Sequence, residues 1–89
     1  MIEIENYREQ PPSGSVQAIF DIYLPKMQLR FRNFRLIKTK KGARFIAAPA
    51  FKEEVNGKEV YTPYMEFSKE RQEEFNRQVL DLLKPFGLT

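Results

Sequence analysis

Apolar and polar residues alternate cleanly from Val16 to Leu24. Val16, Ala18, Phe20, Ile22 and Leu24 fall on one face, and Gln17, Ile19, Asp21 and Tyr23 on the other. A period of two is the signature of a half-buried strand. Pro25-Lys26 follows as a tight link, which favours an antiparallel hairpin because a parallel crossover needs many more residues. Met27 to Lys38 reads as the second strand, but its phase changes midway. Met27, Leu29 and Phe31 share one parity, while Phe34 and Leu36 share the other. A one-residue slip sends side chains to the opposite face. Either a bulge near Arg32-Asn33 returns both sets to the core, or one strand ends there and another begins.

Thr39-Lys40-Lys41-Gly42 is a turn closed by glycine, and Ala43 to Phe51 is expected to form a third strand. Pro49 donates no hydrogen bond, so it belongs at an edge, a bulge or a strand end. Asn56-Gly57 is the strongest short hairpin signal, joining Phe51–Val55 to Lys58–Tyr64. Ile2 to Tyr7 gives a short N-terminal strand, and Pro11-Pro12-Ser13-Gly14-Ser15 a mobile turn.

The periodicity then becomes helical. Ser68 is a suitable N-cap and Glu70 favours the helix dipole. Pro85 stops the helix at about Lys84. Phe75, Val79, Leu82, Leu83 and Phe86 form one stripe, while Glu73–Arg77 and Arg77–Asp81 are spaced as ion pairs on the wet side. The sum is an α+β domain: an antiparallel sheet of four to five strands followed by one C-terminal helix packed on it. Residues 1–89 form a single domain, with a short strand and turn in 1–15, the sheet in 16–66 and the helix in 68–84.

Charge changes this picture from fold to function. The thirty-one residues from Ile22 to Lys52 hold no acid and nine of the fifteen basic residues. That segment carries +9 and the remaining chain −6. Such asymmetry points to an anionic partner, nucleic acid first. There is no cysteine and no histidine, so disulfides, thiolate chemistry, His/Cys zinc sites and a histidine base are excluded. Glu53-Glu54 and Glu73-Glu74 are adjacent pairs, without the spacing that paired-carboxylate or metal chemistry needs. The expectation is a protein that is not an enzyme and has no cofactor, metal or small-molecule substrate. No apolar run approaches membrane-spanning length, and the acidic N-terminus is unlike a signal peptide, so a cytoplasmic location is expected.

The candidate contacts are Arg30, Arg32, Arg35, Lys38, Lys40, Lys41, Arg44 and Lys52 for phosphates, with Tyr23 and Tyr61 as base-stacking rings. No helix carries the basic cluster, so single-stranded nucleic acid is favoured over duplex. Four to six neutralised phosphates would give a salt slope of about −3 to −5. Each residue also has a plain role: arginines on a wet strand face, lysines in a turn, tyrosines in the core. The competing functional class is a dimeric adaptor whose positive segment docks on an acidic protein. Recognition of a polyanion further requires that the cations face one side.

Asn33-Phe34-Arg35-Leu36-Ile37, Gly42-Ala43-Arg44-Phe45-Ile46-Ala47-Ala48-Pro49, Asn56-Gly57 and Pro63-Tyr64 together resemble the stage V sporulation protein G (SpoVG) family. The similarity in order and spacing runs over roughly residues 16–83. It implies a small α+β fold, a homodimer formed through sheet contacts, and DNA or RNA binding with a regulatory role. The family's basic residues after the first proline are reduced here to Lys52, followed by Glu53-Glu54. Its basic character lies upstream in this chain, on Arg30 to Arg44.

Overall fold

The Val16–Leu24 alternation becomes the strand at the heart of the molecule. A computed structural model describes residues 2–87; Met1, Leu88 and Thr89, which the expected domain includes, lie outside the described residues. The elements are β1 (Glu3–Glu9), β2 (Val16–Leu24), β3 (Leu29–Lys38), β4 (Arg44–Ala47), β5 (Ala50–Val55), β6 (Lys58–Pro63) and α1 (Lys69–Leu83), followed by a 3-10 turn at Lys84–Phe86. Strands β1 to β4 form one antiparallel sheet in sequence order, and β5–β6 form a separate hairpin. The fold is α+β, as the patterning predicts.

One face of the large sheet makes the core. Ala18, Phe20 and Ile22 from β2, Phe34 and Leu36 from β3, and Ile46 from β4 are buried against Val79 and Leu83 of α1. Burying each large side chain contributes about 1.5–3 kcal/mol. Asn76 of α1 accepts a hydrogen bond from the Ile46 amide at 3.0 Å, so the helix also covers a polar edge of β4. Among the described residues, no second layer packs on the opposite face of this sheet.

The phase change in β3 is resolved by a bulge. Phe20 pairs with Phe34 and Ile22 with Phe31, so Asp21 faces both Arg32 and Asn33. Asn33 sits at φ 66°, a left-handed conformation that asparagine tolerates. A second irregularity lies across β2, between Glu5 and Arg8 of β1, with Asn6 at φ 52°. The side chain of Asp21 joins the two. Its carboxylate accepts hydrogen bonds from Asn6 Nδ2 at 2.8 Å and from the Asn33 amide at 3.0 Å. Arg8 lies 4.0 Å from the same carboxylate and donates to Asn33 Oδ1 at 3.2 Å. Asp21 is only 1% exposed, and these partners are what make a buried charge tolerable.

Four local expectations are corrected. The third strand does not run from Ala43 to Phe51. It breaks at Ala48-Pro49, where proline cannot continue the ladder, and the chain leaves the main sheet to form the hairpin. Met27 belongs to the Pro25–Gln28 turn rather than to β3 and is exposed. Leu82 and Phe86 do not join the buried helix stripe. Leu82 is 38% exposed, and Phe86 lies beyond the helix, stacked on Tyr7 at 4.7 Å. The ion pairs found on the helix are Arg71–Glu74 and Asp81–Lys84, three residues apart, instead of Glu73–Arg77 and Arg77–Asp81. Ser68 precedes the helix in extended conformation but its side chain makes no capping bond. Asn56 and Gly57 take φ 52° and 79°, as the tight hairpin turn requires.

Candidate nucleic-acid interface

The bulge that rescues the core also sorts the arginines. By simple parity, Arg30 and Arg32 lie opposite Arg35. The residue absorbed at Arg32-Asn33 cancels that difference: Arg30 pairs with Tyr23 and Arg35 with Ile19, both on the face of β2 turned away from the core. Arg30, Arg32 and Arg35 therefore line one open groove.

The other wall comes from the chain beyond Pro49. β4 pairs only with Arg35–Lys38, so the first half of β3 has no strand partner on that side. Pro49-Ala50, Tyr61 and Tyr64 stand across from it, enclosing a groove of about 840 Å³. Tyr61 and Tyr64 are 67% and 69% exposed, so both rings are open to solvent. Tyr64 is held at the hairpin base: its amide donates to the Pro49 carbonyl at 2.9 Å, and its ring lies 4.9 Å from that of Phe51. Tyr61, Tyr64 and Phe67 flank Pro63, and the sequence leaves both base stacking and packing under the helix start open for them. Position after Pro63 was the available signal, but exposure cannot be read from it.

The groove cations differ in freedom. Arg30 is engaged by Glu5, with Nε donating to Oε1 at 2.6 Å, and lies 4.9 Å from the centre of the Tyr23 ring. The Glu5 hydrogen bond and charge raise the Arg30 pKa further. Tyr23 is thus the platform beneath Arg30 and is itself half-buried, rather than a free stacking ring. Arg35 donates to the Ala48 carbonyl at 3.4 Å, which leaves its charge uncompensated. Among the described residues, no carboxylate forms an ion pair with Arg32 or Arg35. Burial alone would raise the pKa of Asp21. The hydrogen bonds from Asn6 and Asn33 and the charges of Arg8 and Arg32 outweigh it, and the net shift is downward.

The remaining candidates do not converge on this groove. Lys38, Lys40 and Arg44 line a second cleft beside the Pro11–Ser15 turn. Lys41 lies exposed on the Thr39–Gly42 turn. Lys52 is paired with Glu59 at 2.9 Å on the hairpin. The expectation of a single continuous basic face is corrected accordingly: the β3–β4 turn carries its cations to a different cleft from the arginines. Among the described residues no cluster of acidic side chains could hold a metal ion, and no helix is long and apolar enough to cross a membrane. Comparison with known protein families, characterised proteins and solved structures finds no match to this chain.

Proposed function

We propose that this chain is a small, non-enzymatic, regulatory nucleic-acid-binding protein that acts as a homodimer and takes single-stranded DNA or RNA in the arginine groove. The observation that carries the reading is the juxtaposition of Arg32 and Arg35, free of carboxylate pairing among the described residues, with two exposed tyrosine rings across one groove. Cations that track a backbone and rings that accept unpaired bases are the two components of single-strand binding. Strands and a hairpin build the groove, and among the described residues no helix projects from it to enter a duplex major groove. The resemblance to the stage V sporulation protein G family points the same way. Dimerisation is supported by the uncovered sheet face, where Phe45 is 40% exposed opposite Ile37.

The divided cations sharpen the expected salt response. Three groove arginines engaging a single strand give a slope of log K against log salt of about −2, and all eight candidate cations would give roughly −5 to −6. Fluorescence anisotropy of a labelled single-stranded oligonucleotide across salt concentrations measures this slope. Arg32→Glu with Arg35→Glu should weaken binding by roughly tenfold or more, about 1.4 kcal/mol or above. Absence of binding at low salt, or equal affinity of the double variant, removes the proposal.

A further inference from the structure

The second cleft has a different construction from the groove. It lies on the other side of the sheet end, where β1, β2, β3 and β4 meet Gly87 in the turn after α1. Its volume is about 570 Å³, within the size range of small-ligand sites. Among the described residues, Lys38, Lys40 and Arg44 supply three positive charges to its lining, against one carboxylate, Glu9. None of the three cations is in an ion pair among the described residues. Arg44 is oriented by a neutral group instead: its Nε donates to Gln17 Oε1 at 3.1 Å. The guanidinium is held in place without losing its charge.

The lining also has an aromatic part. Tyr7 is half-buried, with Phe86 stacked on its ring at 4.7 Å. Its hydroxyl makes no hydrogen bond among the described residues. Burial first, and then the charge of Glu9, raise the Tyr7 pKa, while Arg44 opposes them. The phenol stays protonated and free to donate. Among the described residues two elements oppose an anion here: the Glu9 carboxylate, and the helical turn that closes at Gly87, because a helix C-terminus carries a partial negative charge of roughly one-half. Among the described residues, three cations against one carboxylate leave the lining positive after that contribution.

We infer that this cleft is a binding site for a small phosphorylated organic molecule of mononucleotide size, separate from the arginine groove. Lys38, Lys40 and Arg44 would hold the phosphate, and the Tyr7 ring and hydroxyl the organic part. The site stands on its own residues and does not require that the groove bind nucleic acid.

The test uses the full chain with adenosine monophosphate and adenosine as probes, read by thermal shift and by amide chemical shifts. A ligand that binds only the folded state raises the melting temperature. Adenosine monophosphate should raise it and move the Tyr7, Lys38 and Arg44 amides, whereas adenosine should do neither. Lys40→Glu with Arg44→Gln should abolish the effect, and Arg32→Glu with Arg35→Glu should preserve it. No response to millimolar adenosine monophosphate overturns the assignment. So does a response that survives the cleft variant, or one that the groove variant removes. An oligonucleotide with a 5′-phosphate separates the two sources of phosphate. If it perturbs the cleft and adenosine monophosphate does not, the small-molecule assignment is wrong.

Discussion

Replacing Asp21 by alanine removes the acceptor that ties two opposed bulges together. The Asn33 amide and the Asn6 side-chain amide, at 3.0 and 2.8 Å in the native protein, both lose their partner. A hydrogen bond to a charged group contributes about 1.5–3 kcal/mol, and a buried donor left unpaired costs about 1–3 kcal/mol. Water reaching the exposed Asn6 and Asn33 offsets some of this, so the net loss is set at about 2–4 kcal/mol. For a domain of this size each kcal/mol lowers the melting temperature by about 4–8 °C. Asp21→Asn should be milder, at about 1–2 kcal/mol, because Asn6 can flip its amide to present an oxygen. Urea denaturation of both variants, of Asn6→Ala and of the double variant Asn6→Ala/Asp21→Ala closes a double-mutant cycle. Coupling of about 0.5–3 kcal/mol is expected between these two residues. The acid limb gives an independent check. The folded-state pKa of Asp21 lies below its ordinary value of 3.8. Its contribution to stability is therefore present above that ordinary value and is lost as pH falls through the folded pKa. Asp21→Asn should flatten that part of the acid loss. An Asp21→Ala variant within about 0.5 kcal/mol of native, or a cycle with no coupling, would refute the view that this carboxylate locks both bulges.

Leu83→Ala removes a fully buried contact between α1 and the sheet, and should cost about 2–5 kcal/mol by chemical denaturation. Gly57→Ala places a Cβ at φ 79°, and by disturbing the turn it should loosen the hairpin by about 1 kcal/mol, visible as faster exchange of the β5–β6 amides. In the native protein those amides should already exchange from lower-energy openings than the β2–β3 amides, since the hairpin pairs only with itself. Tyr61→Ala and Tyr64→Ala should each weaken oligonucleotide binding by about 1–3 kcal/mol while leaving the salt slope unchanged, as measured by anisotropy.

Much of the fold was legible because this chain states its strand parity clearly. The alternation of Val16–Leu24 located β2 and its buried face, and the slip between Phe31 and Phe34 located the β3 bulge. The matching irregularity at Asn6 was not legible, since β1 is too polar there for a phase change to register. Pro49 marked a strand end, yet that end sends the chain into a separate hairpin, which is a matter of three-dimensional direction. The candidate site was half legible. Arginine spacing identified the groove's cations, but their convergence depends on the bulge, and Lys38, Lys40 and Arg44 are carried elsewhere by the turn. The sequence left Tyr64 open between stacking and packing, and Tyr23 proved to lie beneath Arg30, because exposure depends on tertiary packing rather than residue type.

The most direct test is a titration of the isotope-labelled protein with a short single-stranded oligonucleotide, followed by amide and arginine side-chain chemical shifts. Binding in the groove predicts that perturbations centre on Arg32, Asn33, Arg35, Tyr61 and Tyr64 and diminish across α1. Perturbations centred on α1, or none at low salt, would contradict it.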